Sequence, residues 1–191
     1  SIYAKHKLKP MKLEEIVFVL VETTHDGNIG AAARAMANMG LGTLRLVNPK
    51  KSIGGDAIAR SAGAFELLEP VAVFTSLDDA IADCTYVYAT TARDRDLTKP
   101  VLTPEAAMIE ARDRIAAGQK VAVLFGPERA GLENDDIVRA NAIISVPVNP
   151  EFASLNLGQC VLLTAYEYQR ATTEVAPETV SHVGNWAEQS E

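Results

Sequence analysis

Short, nearly unbroken apolar runs alternate along this chain with segments of helical periodicity, and that alternation restricts the fold more than any other feature. The runs EEIVFVLVE (14–22), TLRLVN (43–48), VAVFTS (71–76), TYVYATTA (85–92), KVAVLFG (120–126) and AIISVPV (142–148) are short and rich in β-branched residues. A strand that is apolar on both faces must be covered on both. The predicted fold is therefore α/β, a mostly parallel sheet flanked by helices. The helical segments lie between the runs. In 28–40, Ile29, Ala32, Ala33, Met36 and Met39 recur at helical spacing before a stop at Gly40. Further helices are predicted over 54–64, over 76–84 with Ser76 as cap, and from Thr103-Pro104 to about Ala117. Two more follow: 133–141, capped by Asn134 or Asp135, and 154–172, capped by Ser154, with Leu155, Leu157, Val161, Leu162, Ala165 and Tyr168 as its apolar face.

A chain of 191 residues supplies one well-buried domain of this type. The reading divides it into a basic N-terminal arm over 1–13, holding Lys5, Lys7, Lys9 and Lys12 and no acid, a domain over 14–173, and a polar acidic tail over 174–191. No apolar run reaches the roughly 18 residues of a membrane span, so no membrane partner is expected. The start is too basic and too poor in apolar residues for a secretory signal. Cys84 and Cys160 lie far apart, and the sequence has no CxxC and no HExxH. Both cysteines read as small buried apolar residues, with no structural metal, in a protein of the reducing cytoplasm. The net charge of −7 argues against a protein that simply coats nucleic acid, but leaves room for a local basic surface.

Ligands of such sheets bind outside the carboxyl ends of the strands. Those ends are ETTHDGN, ATTARDR, FGPERAG and PVNPEFAS. The first resembles a phosphate loop but fails on spacing: Gly27 and Gly30 are three apart, and neither GxGxxG nor GxxxxGK[ST] occurs anywhere. A dinucleotide-dependent oxidoreductase is disfavoured on that ground. At 100° per residue Arg34 lies off the apolar stripe and shares a face with Gly30 and Asn38, where Gly30 would leave room for a ligand beside the guanidinium. Spacing alone favours an ordinary surface arginine. In FGPERAGLEND, two glycines bracket Glu128 and Arg129 at a strand end, which suits either a functional loop or a charged connection. In the third loop Ser154 would cap a helix and leave the amides of Leu155 and Asn156 free for a polar ligand group. Asn156 is a poor helix former in the first turn of an apolar helix.

Together these segments resemble the SpoU-type branch of the SPOUT superfamily of RNA methyltransferases, which carries N-x-G-x-x-x-R, G-x-E-x-x-G-L and S-L-N segments in that order. Here they are Asn28, Gly30 and Arg34; Gly126, Glu128, Gly131 and Leu132; and Ser154, Leu155 and Asn156. The wording VLVETTHDGNIGAAARAM, LVNP, TTARDR and NPEFASLNL is similar to the TrmJ-type tRNA 2′-O-ribose methyltransferases. The resemblance covers roughly residues 14–170.

It implies a SPOUT (α/β-knot) fold with a deep C-terminal trefoil knot, S-adenosyl-L-methionine held in the knot loops, and a homodimer whose interface helps form the site. The implied cofactor residues are Thr90, Thr91, Ala92, Gly126, Val146, Ala153, Ser154 and Leu155. Arg34 becomes the leading catalytic candidate, with Asn28, Glu128, Ser154 and Asn156 shaping the site around it. The implied reaction is methylation of a ribose 2′-hydroxyl of RNA, with tRNA and its anticodon-loop position 32 first, ribosomal RNA second, and a non-catalytic RNA- or cofactor-binding module as a further alternative. A guanidinium is a costly general base, so Arg34 is expected to orient a phosphate and supply electrostatic help. The expected RNA surface joins the basic arm, Arg34, Arg93, Arg95 and Arg129. The sequence departs from the resemblance at Ala153, where such enzymes commonly carry a hydroxyl residue, and they usually have a further C-terminal segment that helps to grip tRNA.

Overall fold

The computed structural model describes residues 16–91 and 98–172; the basic arm, Ala92, Arg93, Arg95 and the acidic tail lie outside them. Each predicted strand forms, trimmed at its ends: β1 (Ile16–Val21), β2 (Leu44–Val47), β3 (Ala72–Phe74), β4 (Tyr86–Thr90), β6 (Val121–Phe125) and β7 (Ala142–Ile144). A further strand, β5 (Val101–Leu102), is too short to have a period and was not expected. All seven join one sheet in the order β3-β2-β1-β6-β4-β7-β5, with every neighbouring pair parallel. Two strands late in the chain are inserted between earlier ones: β6 separates β1 from β4, and β7 separates β4 from β5.

The helices are α1 (Asp26–Asn38), α2 (Gly55–Ser61), α3 (Leu77–Ala80), α4 (Pro104–Ala116), α5 (Asn134–Ile137) and α6 (Leu157–Thr172). Strand β1 shows why both sheet faces are covered. Ile16, Phe18 and Leu20 point into one core with α1, α4 and α6, while Val17, Val19 and Val21 point into a second with Leu77, Ala80 and Ile137. All six side chains are buried, each worth about 1.5–3 kcal/mol for the larger ones. The predicted stripe of α6 holds at Leu157, Val161, Ala165 and Tyr168, all buried.

Helix starts follow the expected chemistry in two cases. Asp79 N–H donates to the Ser76 hydroxyl at 3.2 Å, and Ala106 N–H donates to the Thr103 hydroxyl at 3.2 Å. Two other expectations are corrected. Helix α5 starts after Glu133, whose side chain makes no capping bond, so neither Asn134 nor Asp135 is the cap. Helix α6 starts at Leu157, and its first amides are met by Asn156 rather than Ser154: Gly158 N–H donates to Asn156 Oδ1 at 2.9 Å. Asparagine is therefore no misfit there, because it stands at the one position where its side chain can replace a missing backbone acceptor.

Glycine permits two close approaches that shape the C-terminal edge of the sheet. A Cβ on Gly30 would run into the Ala57 carbonyl oxygen and lie 2.8 Å from its carbonyl carbon, so α1 and α2 touch backbone to backbone. The expectation that Gly30 leaves room for a ligand is thereby overturned. A Cβ on Gly126 would collide with the Leu132 amide nitrogen and lie 2.5 Å from the Gly131 carbonyl carbon, so the loop after β6 folds back on its own start.

Candidate active site

Three neighbouring strands, β6, β4 and β7, end side by side, and the loops leaving them enclose a cavity of about 330 Å³. This lies within the range for small-ligand pockets, about 300–1,000 Å³. Thr90 and Thr91 come from the end of β4. Gly126, Pro127, Glu128, Arg129 and Gly131 come from the loop after β6, and Val146, Val148, Ala153, Ser154 and Leu155 from the loop between β7 and α6. All seven described residues expected to hold a cofactor, namely Thr90, Thr91, Gly126, Val146, Ala153, Ser154 and Leu155, line this one cavity.

The walls combine apolar surface with a few polar groups. Ile144, Val146, Val148, Leu155 and Leu157 give the apolar part. Among the described residues, no internal hydrogen bond engages the backbone of Val146, Ser154 or Leu155, which leaves their N–H and C=O groups for a ligand. Thr90 is nine-tenths buried, and its hydroxyl donates to the Leu124 carbonyl at 2.7 Å, tying the end of β4 to β6. Cys160, one helical turn after Leu157, also lines the cavity. Burial pushes its thiol up to about 11, so it is a neutral wall group rather than a nucleophile. Both cysteines are half-buried and pack against the apolar cores, Cys160 against one and Cys84 against the other. No motif or spacing in the sequence marks Cys160, which lies outside the predicted α6 face.

Glu128 ties this pocket to the start of α1. Its carboxylate accepts from Thr24 N–H (3.1 Å), Thr24 Oγ1 (2.9 Å), His25 N–H (3.1 Å) and Asn28 Nδ2 (2.6 Å). Burial alone would raise the carboxyl. The hydrogen bonds, from Asn28 first and then the backbone and Thr24, outweigh it and hold the group below the usual glutamate range. The anion also sits where the α1 dipole is positive. Nothing in the sequence pointed to Thr24 as the partner that uses both carboxylate oxygens.

Asn28 and Glu128, a hundred residues apart, are therefore joined directly, and Glu128 and Ser154 share the pocket. Asn156 is spent as the α6 cap. Arg34 stands apart: it is exposed on α1 and does not line the pocket. The described residues contain no cluster of His, Cys, Asp and Glu able to hold a metal, and no helix long and apolar enough to cross a membrane.

A model of the SpoU rRNA Methylase family matches residues 15–166, nearly the whole of the sheet and its helices. The chain belongs to the SpoU family. Among SpoU relatives, the TrmJ tRNA (cytidine/uridine/adenosine-2′-O-)-methyltransferase of Pseudomonas aeruginosa is 43% identical over 159 residues, which are 83% of this chain and 62% of that protein. The TrmJ tRNA (cytidine/uridine-2′-O-)-methyltransferase of Escherichia coli K12 is 41% identical over 172 residues, 89% of this chain and 70% of that protein. The chain thus spans about two thirds of the length of the curated SpoU relatives it matches. The solved structure of TrmJ from Z. mobilis ZM4 has a TM-score of 0.75 at 45% identity, covering 91% of this chain and 80% of that one. An AdoMet-bound rRNA methyltransferase from Sinorhizobium meliloti shares the fold, with a TM-score of 0.68 at 19% identity, covering 88% of this chain and 60% of that one.

Proposed function

We propose that this chain is the catalytic domain of an S-adenosylmethionine-dependent methyltransferase that modifies a ribose 2′-hydroxyl of tRNA. The observation that carries the reading is the convergence of the loops after β4, β6 and β7 on one 330 Å³ cavity with apolar walls and unspent backbone groups. That donor set fits a ligand with a flat apolar ring and polar edges. Thr90, Gly126, Val146, Ser154 and Leu155 would hold it, largely through backbone, which explains why a glycine, a valine and a leucine can serve. When bound, the cofactor supplies an electrophilic methyl group on a sulfonium.

A ribose hydroxyl is a poor nucleophile, so the chain's own contribution is placement and charge. Arg34, on α1, has no hydrogen-bond or ion-pair partner for its guanidinium among the described residues, and Glu128 fixes the start of that helix through Thr24, His25 and Asn28. In this reading Arg34 holds a phosphate beside the reacting ribose, while Glu128 and Asn28 act as positioning residues. Arg34 lies outside its own chain's pocket, so a second copy supplying it across a homodimer interface completes the site. The C-terminal trefoil knot belongs to the same reading: α6 returns from the 145–156 loop to pack against α1 and α4. So do a cytoplasmic location and position 32 of the anticodon loop as the first target.

Arg34→Ala tests the proposal. Transfer of labelled methyl to tRNA should fall by about 100-fold or more, while calorimetric affinity for S-adenosylhomocysteine stays unchanged. Near-normal transfer with intact cofactor binding would remove Arg34 from the mechanism. Mapping of 2′-O-methyl groups on the product RNA then identifies the nucleotide, and modification of ribosomal RNA alone would overturn the tRNA assignment.

A further inference from the structure

The described residues include twelve lysines and arginines, and eight of them are spent within the fold. Arg45 and Lys120 pair with Asp83, Lys50 with Glu22, Arg114 with Glu110, Arg139 with Asp78, and Arg170 with Glu105 and Glu167. Lys99 donates to the Val138 and Ala140 carbonyls, and Arg112 to the Tyr168 carbonyl. The remaining four, Arg34, Lys51, Arg60 and Arg129, are exposed and make no hydrogen bond or ion pair among the described residues.

Three of the four stand by the start of α1, and the fourth, Arg34, lies further along it. The Arg60 side chain lies over Gly27, in the first turn of α1, with its Nε 3.0 Å from where a Cβ on Gly27 would stand. Lys51 follows Lys50, whose backbone N–H donates to the Thr23 carbonyl two residues before the helix cap. Arg129 follows Glu128, whose carboxylate binds His25 and Asn28. Arg34 is two turns along the same helix. The acids nearby are largely turned into the fold: Glu128 into the start of α1, and Asp26 onto the Gly54 and Ala57 amides at the start of α2. Asp56, one turn before Arg60, makes no ion pair with it. On a chain of net charge −7, this rim concentrates unspent cationic donors.

We infer that Arg60 and Lys51 are phosphate-binding residues of the RNA surface, extending it from the pocket loop at Arg129, past Arg34, onto the β2–α2 segment. The inference rests on the RNA reading above and adds to it a side of α1 that neither the loop motifs nor the strand ends mark. An extended polyphosphate backbone is the ligand that uses a row of separate, unpaired cations. A compact anion would need them converged on one point.

The test is binding of an unmodified tRNA transcript by fluorescence anisotropy between about 50 and about 200 mM salt. Arg60→Gln keeps the stem over Gly27 and removes the charge; Lys51→Gln removes the charge at Lys51. Each should weaken binding about 3- to 10-fold at the lower salt and flatten the log–log salt slope by about 0.7–0.9. Arg60→Lys should restore the slope. Affinity for S-adenosylhomocysteine and the melting temperature should not move, and Arg170→Gln, on the end of α6, should bind RNA like the unaltered chain. Variants that bind with unchanged affinity and slope would overturn the inference and leave the RNA reading intact. A loss matched by an equal loss of cofactor binding or stability would assign Arg60 to the fold and also overturn it. An unaltered chain that binds no tRNA, or shows no salt dependence, would overturn the RNA reading itself.

Discussion

Glu128 offers the sharpest perturbation, because one side chain holds two loops that are distant in sequence. Its carboxylate accepts four hydrogen bonds, three of them partly buried and one exposed. Bonds to a charged acceptor are each worth about 1.5–3 kcal/mol net when well sheltered. Glu128 is only half-buried, so water replaces the exposed bond and part of the rest, and screening reduces the remainder. A loss equal to one good bond, about 2 kcal/mol, is expected for Glu128→Gln, whose neutral amide would also turn a donor toward donors. For a domain of this size that is a fall of about 4–8 °C in melting temperature. The pH dependence carries a definite sign. The folded-state carboxyl is held below its ordinary value, so its stabilisation is complete above the unfolded pKa of about 4.3. It is lost as pH falls through the lower folded value. Denaturant or thermal unfolding of Glu128→Gln and the unaltered chain should therefore differ by about 2 kcal/mol near pH 7, and the gap should narrow steadily below about pH 4. A gap that is absent at neutral pH, or that does not change with acid, would refute the claim that this carboxylate clamps the start of α1.

Two further substitutions separate packing from chemistry. Gly30→Ala drives a methyl into the Ala57 backbone, so thermal unfolding should show a loss of about 1–3 kcal/mol, and a neutral result would mean α2 is free to withdraw. Asn156→Ala should cost about 1 kcal/mol of stability through the lost α6 cap, while Asn156→Asp should retain most of it. If Asn156→Ala instead leaves the melting temperature unchanged and abolishes methyl transfer, the cap is incidental and the residue belongs to the chemistry.

The pocket loops were legible because they sit where a parallel sheet must place them. Thr90 ends β4, Gly126 follows β6 and Val146 lies just past β7, and a strand end is fixed by its own local sequence. Strand order was not legible in this way. That β6 lies between β1 and β4 depends on pairing of residues about a hundred apart, and that insertion together with the placing of β7 beside β4 brings the ends of β4, β6 and β7 side by side. The Glu128–Asn28 bond is invisible for the same reason, spanning a hundred residues with no periodic signal to announce it. The cap of α6 was misplaced by two residues because Ser154 and Asn156 have nearly equal capping preference, and only the position of the first helical amide chooses between them.

Gly30 serves helix packing rather than ligand access. Its missing side chain does not open space for a ligand, since the Ala57 carbonyl fills that space. It lets α2 lie directly on α1. Because Ala57 meets Gly30, Arg60, nearly one turn further along α2, falls over Gly27, nearly one turn back along α1. Two short helices packed backbone to backbone cannot slide without a clash, so Arg34 and Arg60 are carried on one rigid unit whose start is clamped by Glu128. A glycine in the middle of a helix costs about 1 kcal/mol relative to alanine. At Gly30 that cost is offset by the close packing of α2 on α1 that the missing Cβ permits.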